Sequence, residues 1–219
     1  MSLTLRPSSG KRSSTVEILF ATTNPGKVRE VTQAFTRGGI KAKVKTNADL
    51  VNPPLVEEYG RSFEANAKLK AHALADFSQM LTIADDSGLM VDALDGAPGV
   101  RSARFAGEEH NDRKNNAKLL AELGGVPAEQ RTASFNTTMV VSMPGAFERD
   151  LVVTGQCLGQ ILVAPRGEDG FGYDPLFYVP EKGKTFAQMT LAEKNSLSHR
   201  GRAIAKLIAL LPGWLEQFN

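Results

Sequence analysis

Two adjacent carboxylates, Asp85 and Asp86, follow the apolar residues 80–83, and Ser87 and Gly88 come next. This order predicts a buried strand that ends where the carboxylates begin. Like charges at a strand end repel one another and are costly to remove from water. A hard cation such as Mg²⁺, which prefers oxygen ligands, would relieve both costs. Because Asp, Ser and Gly also form solvated turns, the segment alone is consistent with a metal site or with a turn.

The segment TTNPGK, residues 22–27, predicts a helix start that binds phosphate. Asn24 is a good N-cap and Pro25 suits the first helical position, so free backbone N–H groups are expected there. Lys27 and Arg29 in or near that first turn are unfavourable by about 0.3–1 kcal/mol each unless an anion binds. A phosphate would account for the lysine and for the two threonine hydroxyls. The segment lacks the glycine spacing of a Walker A loop, and an ordinary capped helix with a solvated lysine is the alternative.

A helix predicted from residue 62 to about residue 77 places Lys70 in the middle of its apolar stripe. Burying an unpaired ammonium group is costly, so Lys70 is expected to reach a carboxylate or a phosphate. The alternative is a lysine whose stem covers apolar surface while its charge stays in water. Glu57 and Glu58 lie in the loop just before this helix, where they are placed to add a third metal-binding oxygen.

Two aromatic residues, Phe171 and Tyr173, lie among glycines in residues 170–175. Flat rings with close backbone approach suit the stacking of a nucleobase. Asp174 would accept a hydrogen bond from a ring N–H of that base. The same pattern is also typical of a loop aromatic that anchors the core.

Lys194 is followed by a second basic pair, His199 and Arg200. If the helix breaks near Ser198 and starts again, the pair occupies a first turn, where positive charge is disfavoured. Both residues are therefore candidate hydrogen-bond donors to a substrate.

The elements that position these candidates alternate between strand and helix. We predict strands at 16–21, at 40–44, up to Asp85, within the β-rich third 132–163 and at 176–179. We predict helices at 24–35, 62–77 and 111–123, and a last helical region from the capping box of Thr190 and Glu193 to Pro212. The pattern predicts an α/β fold with a mixed sheet and a β-rich extension.

The composition is that of a soluble globular protein, with 219 residues, 42% hydrophobic and 23% charged. The net charge of +2 gives no general attraction to nucleic acid or membrane, and no apolar run approaches the roughly 20 residues of a transmembrane helix. The single cysteine, Cys157, fits a reducing compartment, so we expect a cytoplasmic protein. The polar residues 1–14 are expected to form a disordered tail, which leaves 15–219 as one domain.

Six motifs in order resemble the inosine triphosphate pyrophosphatase family, whose substrates are non-canonical purine nucleoside triphosphates. They are ATTNPGKVRE, SFEANAKLKA, ADDSGL, GAPGVRSARFAG, GFGYDPLF and EKNSLSHRG, spread from Phe20 to about Leu207. The resemblance implies a homodimer with a two-lobed α/β fold and a long mixed central sheet flanked by helices. It also implies Mg²⁺-dependent hydrolysis of inosine, deoxyinosine and xanthosine triphosphates between the α and β phosphates, giving the monophosphate and pyrophosphate.

The resemblance further implies roles for individual residues. The phosphates would be held by Thr22, Thr23, Asn24, Gly26, Lys27 and Lys70, with Ser87 next to the metal. The metal ligands would be Glu58 and Asp86, and Asp86 would also accept the proton of the attacking water, with Lys70 as the second catalytic residue. The purine would stack on Phe171 within the loop that contains Gly172 and Tyr173, and its oxygenated edge would be read by Asp174, Lys194, His199 and Arg200.

Two positions depart from the family pattern, because Thr23 stands where glycine is usual and Tyr59 where threonine is usual. Neither change removes a charged group, so activity is expected to be retained. The nearest alternative is a Maf-like pyrophosphatase that prefers modified pyrimidine nucleotides, and a second is a nucleotide-sensing module without catalysis. A nucleic-acid or membrane partner is not expected, since the net charge is small and no basic face is evident.

Overall fold

The computed structural model describes residues 15–107 and 111–218, so the predicted tail at 1–14 lies outside the described residues. Within the described part, the strands are β1 (Val16–Phe20), β2 (Ala42–Thr46), β3 (Thr82–Val91), β4 (Thr132–Ser142), β5 (Leu151–Ile161), β6 (Phe177–Val179) and β7 (Lys184–Thr185). The helices are α1 (Pro25–Arg37), α2 (Phe63–Ser78), α3 (Asp112–Glu122), α4 (Leu191–Leu197) and α5 (His199–Leu215). None of these described helices combines the length and the apolar character that crossing a membrane requires.

The strands form one mixed sheet in the order β2-β1-β3-β4-β5-β6-β7. β1 runs parallel to β2 and β3, and the pairs from β3 to β7 are antiparallel. The predicted α/β class with a mixed sheet flanked by helices is therefore confirmed.

Different helices cover the two faces of this sheet. On one face Ile83 of β3 packs in a cluster with Val31 of α1 and Leu207 of α5. On the other face Ala84 packs with Ala67 of α2. Because successive side chains of a strand point to opposite faces, neighbouring residues of β3 contact different helices.

The prediction that the strand ends at Asp85 is wrong. β3 continues to Val91, and Asp85 and Asp86 lie opposite Met139 and Thr138 of β4. The long antiparallel partner supplies backbone hydrogen bonds along the whole segment, so the chain has no reason to turn. The carboxylates consequently point to opposite faces of the sheet instead of sharing one strand end.

The C-terminal helical region divides at Ser198, which meets the condition under which His199 and Arg200 were expected in a first turn. Ser198 ends α4, and its side chain accepts a hydrogen bond from the amide of Gly201 in the first turn of α5. α5 then runs through Pro212 to Leu215, beyond the predicted end at the proline. Trp214 is buried in the cluster beneath α1 and α5, and this burial offsets the hydrogen bond that a proline cannot make.

Candidate active site

The residues to which the family resemblance gives roles converge on a cavity of about 300 Å³, and all of them except Gly26 line it. Gly26 has a different role, since a Cβ atom there would lie 2.7 Å from the ring of Phe171. The absence of a side chain at this position lets the aromatic loop approach the start of α1. Thr23, one of the two departures from the family pattern, lines the cavity, whereas the other, Tyr59, is 75% exposed.

The start of α1 is capped more completely than the sequence suggested. Asn24 Oδ1 accepts hydrogen bonds from the amides of Gly26 at 2.8 Å and Lys27 at 3.3 Å. The amide of Val28 donates to the carbonyl of Asn24 at 3.2 Å. The free amides predicted for this turn are therefore already used, and an anion would depend on Lys27, on the Thr22 and Thr23 segment and on the helix dipole.

On the face covered by α1 and α5, Asp85 is neutralised by two cations. Lys27 Nζ lies 3.0 Å from Asp85 Oδ2, and Arg200 Nε donates to the same oxygen at 3.2 Å. Burial by itself would raise the pKa of Asp85, but Lys27 and Arg200 hold it well below its usual range. Asp85 is thus an internal counter-ion that is charged at neutral pH.

Glu30, which sequence reasoning missed, extends this arrangement into a buried ion network. It bonds Arg200 Nη1 through one oxygen and lies 3.0 Å from Lys194 Nζ through the other. Lys194 also donates to Asp174 at 2.7 Å. The network, which we define as Lys27, Glu30, Asp85, Asp174, Lys194 and Arg200, contains three acids and three bases. Glu30 lies three residues after Lys27 on the inward face of α1, and that spacing is the signal by which it could have been found.

Arg200 is 2% exposed, and three of its guanidinium N–H groups donate hydrogen bonds to residues of the protein. Besides the network bonds, its Nη2 donates to Ser87 Oγ at 3.0 Å. Since a guanidinium has five N–H groups, two remain for a ligand beyond these three contacts.

His199, the first residue of α5, is buried and stacks on Phe135 with ring centroids 4.8 Å apart. Burial, with Arg200 and Lys194 adding to its effect, lowers the pKa of His199 well below its usual value. The imidazole is therefore neutral at neutral pH, and the expectation of a cationic donor at His199 is wrong. Its Nδ1 is buried and has no hydrogen-bond partner among the residues described, which leaves a polar atom unused.

On the face of the sheet that α2 covers, Lys70 lies next to carboxylates. A carboxylate was one of the two groups that Lys70 was expected to reach, the other being a phosphate. Its Nζ lies 2.9 Å from Glu58 Oε1 and 3.9 Å from Asp86 Oδ1. Asn66 Nδ2, one turn earlier on α2, donates to Asp86 Oδ2 at 2.9 Å. Burial raises the pKa of Asp86; Lys70 opposes this shift and Glu58 adds to it. The spacing that places Lys70 in the apolar stripe of α2 also includes Phe77, but Phe77 is 45% exposed, so the buried stripe ends before it.

The donor set around Lys70 fits a hard divalent cation. Within residues 15–107 and 111–218, no group of three or more His, Cys, Asp or Glu side chains is arranged to hold a metal. Glu58 and Asp86 nevertheless flank one ammonium group, so positive charge is favoured between them. Two carboxylates alone suit an ion that takes its remaining ligands from water and phosphate, as Mg²⁺ commonly does.

The aromatic loop is held by its own acid and by α3. Asp174 accepts a hydrogen bond from the amide of Phe171 at 2.9 Å, and Asp112 accepts one from the amide of Gly172 at 2.7 Å. Lys194 Nζ lies 4.5 Å from the centroid of the Phe171 ring. In this structure Asp174 therefore shapes the loop through the same oxygen that pairs with Lys194.

Two further residues that line the cavity, Asn47 and Arg104, were not predicted to have a functional role. Asn47, directly after β2, has a buried Oδ1 without a hydrogen-bond partner among the residues described. Arg104 donates from Nη2 to the carbonyl of Glu58 at 3.0 Å. Asn47 has no local sequence signal, whereas Arg104 lies in the motif GAPGVRSARFAG.

Comparison with known proteins decides the family. The model of the Ham1 family matches residues 18–210. The chain belongs to the Ham1 family. This Ham1 protein is similar to the dITP/XTP pyrophosphatase of Lactobacillus acidophilus, with 67% identity over 196 residues that cover 90% of this chain and 97% of that one. It is 53% identical over 191 residues to the dITP/XTP pyrophosphatase of Geobacillus kaustophilus, covering 87% of this chain and 92% of that one.

Solved Ham1 structures share the fold of this Ham1 protein. A HAM1 protein from Coxiella burnetii is 35% identical with a TM-score of 0.82, over 91% of this chain and 100% of that one. The Ham1 protein of Staphylococcus aureus is 42% identical with a TM-score of 0.78, over 90% of this chain and 98% of that one. The family resemblance predicted from the motifs is confirmed.

Proposed function

We propose that this Ham1 protein hydrolyses inosine, deoxyinosine and xanthosine triphosphates between the α and β phosphates, releasing the monophosphate and pyrophosphate. The observation that carries the proposal is the single cavity whose lining includes Lys27 and Lys70 together with the acids Glu58 and Asp86. Cations suited to a triphosphate thus stand beside carboxylates suited to a metal and to a proton. The relatives named dITP/XTP pyrophosphatase give the same substrate class.

The phosphate end of the substrate is assigned to Lys27, Lys70 and the threonines of residues 22–27. In the structure both lysines are paired with acids of the chain, Lys27 with Asp85 and Lys70 with Glu58. A triphosphate would compete for both ammonium groups. Movement of Lys70 toward the phosphates would leave Glu58 and Asp86 without their shared cation.

We propose Mg²⁺ as the metal, with Glu58 and Asp86 as its protein ligands. When bound, it would neutralise phosphate charge and lower the pKa of a water molecule. Asp86 accepts the proton of the water that attacks the α phosphorus, and Asn66 holds the carboxylate in place. In the absence of metal, burial raises the pKa of Asp86, so its carboxylate is then a stronger base than an exposed aspartate.

The base end of the substrate is assigned to Phe171 for stacking and to Lys194, His199 and Arg200 for the oxygenated edge. A keto oxygen at purine position 6 accepts hydrogen bonds, so it matches the N–H groups that remain on Arg200. An adenine amino group would place a donor against a donor and leave both without a partner. Because His199 is neutral, it contributes one donor and one acceptor instead of charge.

We also propose a homodimer, a cytoplasmic location and a single two-lobed domain over residues 15–219, on the strength of the family resemblance. No nucleic-acid or membrane partner is part of the proposal. Light scattering on the purified protein tests the dimer, since a monomeric mass across concentrations would contradict it.

A substrate panel tests the activity. Inosine, deoxyinosine and xanthosine triphosphates are compared with ATP, GTP and a modified pyrimidine triphosphate, with and without Mg²⁺, and pyrophosphate and orthophosphate are measured separately. We expect Mg²⁺-dependent pyrophosphate release from the first three and little from ATP. Orthophosphate as the primary product would contradict the proposal. Preference for the pyrimidine would favour the Maf-like alternative, and binding without turnover would favour a sensing module.

A further inference from the structure

The short 3-10 helix Gly99–Arg104 lies against β3 on the face that carries Asp86. The contact is close, because a Cβ atom at Gly88 would lie 2.3 Å from the carbonyl oxygen of the first residue of this helix. Ser102 adds a polar link, since its Oγ accepts a hydrogen bond from the amide of Leu89 at 2.9 Å. The segment is therefore fixed to the strand that supplies Asp86.

The same segment is also tied to two other parts of the cavity wall. The buried hydroxyl of Tyr173, in the aromatic loop, donates to the carbonyl of Ser102 at 2.9 Å. Asn115 of α3 donates to the carbonyl of Ala103 at 3.1 Å. With contacts to β3, to the aromatic loop and to α3, residues 99–104 form a rigid support.

Arg104 reaches from this support to the loop that carries Glu58. Residues 51–61 of that loop contain neither helix nor strand. Arg104 Nη2 donates a hydrogen bond to the carbonyl of Glu58 at 3.0 Å, and Asn66 Oδ1 accepts one from the amide of Gly60 at 2.7 Å. A hydrogen bond from a charged donor is stronger than one between neutral groups, so it can restrict a segment without regular structure. The backbone at Glu58 is thus set by Arg104 on one side and by α2 on the other.

We propose that Arg104 is a positioning residue for the metal site, which holds Glu58 so that its carboxylate stands opposite Asp86. The inference rests on the proposed function and deepens it, because it assigns the geometry of the metal ligands to a residue outside the ligand set. Arg104 acts through the backbone of Glu58 and does not bind the triphosphate. Since Arg104 lines the cavity, direct phosphate binding is the competing role that the experiment must separate.

The test uses Arg104→Gln and Arg104→Lys, with Arg101→Gln as the matched control. Arg101 belongs to the same 3-10 helix but is exposed. Mn²⁺ binding is measured by electron paramagnetic resonance in the presence of a non-hydrolysable inosine triphosphate analogue. Binding of that analogue alone is measured by calorimetry in EDTA, and thermal unfolding reports the fold.

We expect Arg104→Gln to weaken Mn²⁺ binding about 10-fold, as for other residues that orient metal ligands, and Arg104→Lys to weaken it less. Metal-free binding of the analogue should stay at the wild-type value, the Arg104 variants should remain folded at the assay temperature, and Arg101→Gln should match the wild type throughout. Unchanged Mn²⁺ binding in Arg104→Gln would overturn the proposal, as would weaker binding of the analogue in EDTA. A wild-type protein that binds Mn²⁺ and the analogue but releases no pyrophosphate from inosine triphosphate would refute the proposed function. The Mn²⁺ affinities of the Arg104 variants could still be compared with that of the wild type.

Discussion

Asp85 and Asp86 are adjacent in β3, but they lie on opposite faces of the sheet and their pKa values are shifted in opposite directions. Asp85 contacts Lys27 and Arg200 within the buried ion network, and its pKa is lowered. Asp86 contacts Asn66 and lies near Lys70, and its pKa is raised. One carboxylate is therefore charged at neutral pH, whereas the other, in the absence of metal, is a stronger base that lies near the ammonium group of Lys70. The charge state of each carboxylate is therefore set by the helices that cover its face of the sheet, and not by its position in the motif.

Asp86→Asn should give the largest effect on activity. The amide cannot accept the proton of the attacking water, so turnover should fall by about 10²–10⁴-fold. Pyrophosphate release is the assay, and circular dichroism should show an unchanged fold. Wild-type-like turnover would remove Asp86 from the role of base.

Asp85→Asn should give the largest effect on stability. It leaves Arg200 and Lys27 buried without their shared acid, so the free energy of unfolding should fall by about 3–5 kcal/mol. Denaturant titration measures the loss, with exposed Asp95→Asn as a control expected to stay near the wild type. An unfolding free energy equal to that of the wild type would mean that the network does not depend on Asp85.

The pH dependence of stability should have opposite signs for the two acids when metal is absent. The pKa of Asp85 is lowered by folding, so its stabilising contribution is present above the ordinary value of 3.8 and is lost as the pH falls below it. The pKa of Asp86 is raised, so its contribution is present in acid and is lost as the pH rises through the folded-state pKa.

Unfolding titrations in EDTA from acid to neutral pH check this expectation. The deficit of Asp85→Asn relative to the wild type should shrink toward acid pH. Asp86→Asn should be at least as stable as the wild type at neutral pH, and this difference should narrow in acid. Parallel curves for the two variants would contradict the assignment of opposite shifts.

Ser87→Ala should give the smallest effect. Ser87 Oγ donates to Asp85 at 3.0 Å and accepts from Arg200 at 3.0 Å, so its loss weakens the network without leaving a charge unpaired. We expect a loss of about 1–2 kcal/mol in the free energy of unfolding. Ser196→Ala in α4 is the control, because Ser196 bonds only one local carbonyl in the contacts described. A loss as large as that of Asp85→Asn would show that the hydroxyl is a principal member of the network.

Local signals made much of the fold predictable. The caps at Asn24, Ser62 and Ser198 act within a few residues of the helix they start, so a single sequence contains all that is needed to find them. The β-rich third was visible because alternation is also a local pattern. The site residues that converge on the cavity were found through motifs, each of which ties one chemistry to one short segment.

The remaining features depend on contacts between distant segments. The continuation of β3 through Asp85 requires β4, which begins at residue 132, and cations from α1 and α5. The spacing of Glu30 could place it on the inward face of α1, but its partners Arg200 and Lys194 come from distant segments and are known only from the fold. The neutral state of His199 likewise follows from burial that only the assembled fold provides.

The alternation along β3 has a consequence for how tightly the register with β4 is constrained. A slide of β3 by one residue relative to β4 would exchange the faces of its two acids. Asp86 would then lie on the face of the buried cations, and Asp85 on the face of Lys70. A slide by two residues would restore the faces but carry each acid about 7 Å along the strand, away from its partners. Only one register therefore places both acids, and length changes in the connection from α2 must be absorbed before β3 begins.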